Sequence, residues 1–367
     1  VWIRRVQVIV TNANDASKKT VFEKHAIEYD IRSIIGWGAD TATINIYNLA
    51  VEEVKALQNK TFGQLLIEVR AGYADELQGG TFQNKDYVQQ TGGTRIQIDD
   101  GAVLPTIFSG VIKNAIGYKR PPEHVTTIFC VSKAAVNASI FTQMKAIPPG
   151  ATLREAIKSM CADYGFNTIS TYGIPDADLN VVLPTGRVFH DTFIREFTDL
   201  LSEHNMQCYI ATAEVQIFSE TYGDPDAISR MAKGREPIKL DANYVQGNPM
   251  AGIGTLDVDL FMRPDIQPGM VIDVSPLLGK ELLANGVVSV TNQQQVLNLD
   301  DSVFRYAMED KYLIESVIQR GGTHTRQPLT TSIRAVLGGN SAMGLDESDW
   351  QNLYLMSGMS LESEGFD

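Results

Sequence analysis

Apolar and polar positions alternate through the first third of the chain. Between residues 40 and 49, Ala42, Ile44 and Ile46 take one side and Thr43, Asn45 and Tyr47 the other, the two-residue period of a half-buried strand. Asn48 follows as a helix cap, and Val51, Val54 and Leu57 then share one side of a short helix. A second strand is expected over residues 63–73, with Leu65, Ile67 and Val69 inward, a third over 106–116 and a fourth over 123–132. Upstream, Val6, Val8 and Val10 begin a strand whose antiparallel partner is expected at residues 22–32, across the polar turn 11–15. Together these elements predict a small β-barrel. The Gly-, Gln- and Asp-rich stretch between Tyr73 and Thr106 is too long for a tight connection and reads as a β-hairpin extension or a contact loop.

Past Ser132 the period becomes helical, and Pro148, Pro149 and Gly150 punctuate the change. Thr152 and Glu155 have capping-box spacing, and Leu153, Ile157, Met160 and Tyr164 follow along one helical side. A second helix is expected over 191–203, where Phe193, Ile194, Phe197, Leu200 and Leu201 recur at core spacing. It leads into a hairpin, 207–211 and 214–218, turned around Thr212 and Ala213. After a polar connector, 222–237, strands resume: Leu256, Val258 and Leu260 alternate with Asp257 and Asp259, Met270, Ile272 and Val274 follow the turn Pro268-Gly269, Val288 and Val290 follow in turn, and a long strand covers 312–320. The fold class is therefore mainly β (α+β), two small β-barrels around a helix-plus-hairpin middle domain. The expected divisions are 1–134, 135–235 and 236–337, then an acidic tail, 338–367. Trp350, Leu353 and Tyr354 in that tail have i, i+3, i+4 spacing and are the candidate partner-contact residues; packing on its own domain, or disorder, explains the tail equally well.

Charge narrows the class. The 367-residue chain carries a formal net charge of -13, which argues against a basic nucleic-acid-binding surface. Cys130, Cys161 and Cys208 are far apart in apolar patterns, with no pair spaced for a metal, and read as buried thiols made in a reducing cytoplasm. No apolar run is long enough to span a bilayer, so stable membrane insertion is not expected, and the N-terminal stretch does not read as a signal peptide. The five histidines, at 25, 124, 190, 204 and 324, fall in no metal-ligand spacing. Asp257 and Asp259 share a strand face, which alternation explains as a solvated surface without acid–base chemistry. No catalytic residue, metal or cofactor is implied.

The order of Ile44-Asn-Ile-Tyr-Asn-Leu49, Ile67-Glu-Val-Arg-Ala-Gly-Tyr73 and Ile107-Phe-Ser-Gly-Val-Ile112, followed by a Thr-rich strand, resembles the first domain of contractile-tail phage baseplate hub proteins. The resemblance covers residues 1–135 and, more weakly, 190–335, where a helix runs into a hairpin and a late strand ends before Thr-Ser-Ile-Arg334. It implies a structural virion protein, made in the bacterial host cytoplasm, that forms a homotrimer between the six-fold tail tube protein and the three-fold central spike protein. Two similar barrels per chain would present six units per trimer. The resemblance extends the partners to the tape measure protein and the baseplate wedge proteins, with DNA passing unbound. Two alternatives stay open: a cell-wall-degrading tail-tip enzyme with its active site in the middle domain, and the spike protein of bacterial secretion systems, which shares this base but appends a long β-helical repeat.

Overall fold

A computed structural model describes residues 2–35, 40–58, 63–75, 104–133, 136, 142, 144–164, 166, 168–210, 214–219, 227–252, 255–277, 287–288, 297–298, 311–324 and 328–337. The first region comprises β1 (Trp2–Asn12), β2 (Asp15–Phe22), β3 (Ile27–Ile34), β4 (Thr41–Tyr47), α1 (Val51–Gln58), β5 (Leu65–Asp75), β6 (Thr106–Arg120) and β7 (Glu123–Ser132). The middle region comprises β8 (Lys145–Ile147), α2 (Leu153–Asp163), β9 (Thr168–Tyr172), α3 (Asp176–Leu179), β10 (Arg187–Phe189), α4 (Phe193–Ser202), β11 (Met206–Ile210), β12 (Glu214–Ser219) and α5 (Ala227–Gly234). The last comprises β13 (Ile238–Lys239), β14 (Val245–Gly252), β15 (Thr255–Phe261), β16 (Val271–Asp273), β17 (Val287–Val288), β18 (Leu297–Asn298), β19 (Lys311–Gly322) and β20 (Thr330–Leu337).

The mainly β, α+β class expected from the pattern is what the chain adopts, with a feature that alternation does not show. The two β-regions share one 13-stranded sheet, ordered β14-β15-β20-β19-β3-β4-β7-β6-β5-β1-β2, with β16 and β13 branching from β19. The join is antiparallel pairing of β19 with β3, running from Ser316↔Ile34 to Gly322↔Glu28. Beyond the strands, Ile27 N donates to Thr323 Oγ1 at 3.0 Å and Thr323 N to Ile27 O at 2.9 Å. Each region still packs its own core. Ile44, Ile46, Val8, Val69 and Ile128 close the first, and Leu256, Leu260, Ile272, Ile314 and Ala335 the second.

The seam depends on a missing side chain. A Cβ at Gly321 would lie 2.3 Å from Leu329 Cδ2 and 3.0 Å from the Tyr29 hydroxyl, so glycine lets β20 and β3 close on β19. Behind it, Tyr73 Oη accepts from Leu329 N at 2.9 Å and donates to Leu329 O at 3.2 Å, tying β5 to the far region. Tyr29 is sealed there beside Met262, and burial pushes its phenol far above the ordinary value.

Two local expectations are corrected. The partner of β1 is β2, registered Val8↔Phe22 and Val10↔Thr20, while 27–34 pairs with β4 and β19. Lys18 and Lys19 break the apolar rhythm of β2, but an edge strand tolerates them, and lysines there oppose pairing with another chain. Asn48 is not a helix cap. It sits at φ 57 and its Oδ1 accepts from His124 N at 3.0 Å, while Glu53 Oε2 caps Ala50 N at 2.9 Å.

In the middle region the capping box forms as spaced: Glu155 N donates to Thr152 Oγ1 at 3.3 Å and Thr152 N to Glu155 Oε2 at 2.9 Å. α2 and α4 bury Leu153, Ile157 and Met160 against Phe193, Phe197 and Leu200. The hairpin β11–β12 gains β9 as a parallel third strand, which the weak pattern of residues 168–172 did not announce. This unit packs on the outer face of the sheet, at the start of β19, where Tyr209 and Phe218 meet Val271 and Leu313. Gly269 (φ 80) permits the approach, since its Cβ would stand 2.9 Å from Phe218 Cε1.

Ile44 is fully buried at the centre of β4. Ile44→Ala is expected to cost about 2–5 kcal/mol, read as a lowered urea midpoint with an unchanged slope.

Candidate functional site

Among the described residues, the shared sheet presents a solvent face that runs across both β-regions. Register places Phe261, Thr330, Arg320, Asp30, Thr43, Phe129 and Asn114 in one cross-strand row over β15, β20, β19, β3, β4, β7 and β6. The two phenylalanines, 41% and 38% exposed, stand five strand spacings apart, roughly 24 Å. Ile116 and Tyr118 extend the Phe129 end, both nearly half exposed. At the other end Arg263 lies over the Tyr244 ring, 5.6 Å from its centroid.

Between these apolar ends the face is charged. Arg32 Nε donates to Asp30 Oδ1 at 2.8 Å and Arg320 Nε to Asp30 Oδ2 at 2.9 Å, so one carboxylate bridges both sides of the seam. Burial by itself would raise the Asp30 pKa, but the hydrogen bonds from Arg32 and Arg320 outweigh it and hold the carboxyl below its ordinary value. Glu28 Oε2 accepts from the Tyr47 hydroxyl at 2.8 Å; burial, then that bond, pushes the phenol up to about 12. Glu28, Asp30, Thr43, Asn45, Asp259, Arg320 and Ser332 line an open cleft of about 580 Å³ along the seam. The cleft is shallow, polar and of mixed sign. It suits a complementary surface and lacks the enclosure that acid–base chemistry needs.

The sequence-predicted residues fall as follows. Asp259 is exposed at the cleft, and Asp257 lies on the same face in register with Arg334, the solvated arrangement expected. The three cysteines are free and buried; burial pushes Cys208 up to about 12 and does the same, with a smaller contribution from Cys208, to Cys161. Trp350, Leu353 and Tyr354 lie outside the described residues, as does 76–103 of the loop between Tyr73 and Thr106. Among the described residues no three His, Cys, Asp or Glu side chains gather as a metal site, and no helix is long and apolar enough to cross a membrane. Sequence reading missed Asp30, Arg320 and the phenylalanine pair. Phe129 and Phe261 are out-of-phase aromatics in otherwise alternating strands, the signal that marks them; nothing local in sequence joins Asp30 to Arg320.

Solved structures share this architecture. The tail protein from Neisseria meningitidis MC58 matches at a TM-score of 0.50 and 10% identity, over 90% of this chain and 96% of that one. The 43 kDa tail protein of prophage MuSo2 from Shewanella oneidensis matches at 0.48 and 7%, over 92% and 99%. A type VI secretion system component from E. coli matches at 0.47 and 9%, over 87% and 76%. No protein-family model matches the sequence, and no curated protein matches it. The fold is that of the Neisseria tail protein.

Asp30→Asn is expected to lower stability at pH 7 by less than about 1 kcal/mol, because both arginines are largely exposed. A depressed folded pKa stabilises above the unfolded value and loses that stabilisation as pH falls through the folded one. The difference between Asp30→Asn and the parent, measured by urea denaturation, should therefore shrink steadily as pH falls below the ordinary carboxyl value of 3.8.

Proposed function

We propose that this chain is a structural virion protein, the trimeric baseplate hub of a contractile tail, joining the six-fold tail tube to the three-fold central spike. The observation that carries the reading is the shared sheet: two β-regions lie edge to edge in each chain, in a fold in common with a tail protein of Neisseria meningitidis. Three such chains would set six β-regions around an axis while keeping three-fold contacts elsewhere. The solvent face of the sheet, with apolar ends and a charged centre, has the anatomy of a partner surface. Its partners in this reading are two further copies, the tube protein and the spike protein, with the tape measure and wedge proteins as neighbours. A net charge of -13 supports passage of DNA through the ring without specific binding. The role is non-catalytic, supported by acids that lie on an open face rather than in a closed pocket.

Light scattering of purified protein is the test. A mass of three protomers is expected, with co-sedimentation on tubes assembled from the tail tube protein. A monomer that ignores both tube and spike overturns the reading, and cell-wall clearing lost on changing one carboxylate of residues 135–235 would replace it with an enzyme.

A further inference from the structure

The dock between the middle region and the sheet contains a carboxyl group that the hub reading does not use. Asp40, immediately before β4, accepts a hydrogen bond from the Tyr209 hydroxyl of β11 on its Oδ2 at 2.8 Å. Its main-chain oxygen accepts from Ser132 N at 2.8 Å, at the end of β7, where the chain leaves the sheet for the middle region. Part of Asp40 reaches solvent, yet its Oδ1 is closed off and has no hydrogen-bond partner among the described residues, and the Ser132 hydroxyl is closed off in the same way. Apolar groups surround the dock: Phe218 of β12, Val271 of β16, Leu313 of β19 and Ile35.

We infer that Asp40 is a proton-operated latch: the closed dock shuts in its carboxyl, so the neutral form is compatible with the middle region seated on the sheet and the ionised form weakens that dock. A protonated Oδ1 is neutral and can donate, whereas the ionised group leaves charge on an oxygen closed off from water. Among the described residues the groups acting on it are Tyr209 from β11 and Ser33 from β3, whose hydrogen bonds favour the carboxylate, and no cation contributes. Burial outweighs both and raises the carboxyl to about 6. A raised folded value means that the stabilisation is complete below about pH 4 and is lost as pH rises through about 6. Opening of the dock is thus favoured about tenfold on going from about pH 5 to about pH 7.5. The inference is independent of the proposed function, because it concerns only how two parts of one chain hold together.

Hydrogen exchange on the full chain, corrected for intrinsic rates, reads the latch directly. Peptides spanning β11 and β12 should lose about tenfold in protection between these pH values, while those from β4 and β7 change little. Asp40→Asn keeps an acceptor for Tyr209 and cannot ionise, so its protection should be flat with pH; Tyr209→Phe should retain the dependence. Equal protection of the parent at both pH values, or the same dependence in Asp40→Asn, overturns the latch. Should Asp40→Asn fail to fold, carboxyl carbon NMR of the parent decides: a titration midpoint near 6 supports the latch, and one near the ordinary value of 3.8 overturns it.

Discussion

The pairing of β3 with β19 is the contact on which the rest of the architecture depends. Without it, two β-regions would each end in a long strand with unpaired N–H and C=O groups, a template for association with other chains. With it, each edge satisfies the other from Ser316↔Ile34 to Gly322↔Glu28, and the solvent face becomes one surface. The strands that meet are nearly three hundred residues apart, so closing the seam costs chain entropy that local contacts cannot repay. What repays it is packing behind the sheet, where Leu329 and Met262 of the last region enter the first region's core beside Tyr29. Gly321 is the condition for that packing, and Asp30 between Arg32 and Arg320 is its electrostatic counterpart on the outer face.

The middle region docks on the same outer face of the sheet, at the end where Val271, Leu313 and Val336 stand side by side. Its own core, built on α2 and α4, is independent of the seam, but Tyr209 and Phe218 need β16 and β19 for cover. The inner face is therefore filled by the two cores, and the outer face is covered at one end and open along the row from Phe261 to Asn114. This arrangement ties the stability of the dock to β19, the strand that also makes the seam. A ring built from such chains would place load on backbone pairing within each protomer, with side chains at the face selecting the neighbours.

Legibility followed the range of the interaction. The alternation in β4, β5 and β7 and the capping box at Thr152 and Glu155 are local, and they formed as written. Errors came where a local pattern had two physical meanings. A lysine-rich run carries no apolar period of its own, but at a sheet edge it is a protected strand, β2. An asparagine before a helix reads as a cap, yet Asn48 takes a left-handed turn and binds the neighbouring strand through its side chain. Strand β9, half-buried at Ile169, Ser170 and Tyr172 and fully buried nowhere, carries no apolar period to betray it. The cleft and the Asp30 bridge were invisible for a further reason: they are made of residues whose partners lie in another region of the chain.

The amino-acid sequence by itself determined which segments become strands, which faces of those strands turn inward, and that helices interrupt two β-regions, because burial of alternating apolar side chains is decided over a few residues. Only the tertiary structure decided that the two β-regions would share a sheet, that Asp30 and Arg320 would meet, and that Asp40 would be shut in beneath Tyr209. Those outcomes depend on which strand edge finds which, and on close approaches at Gly321 and Gly269, where the absence of a side chain matters only once a distant element arrives to fill the space.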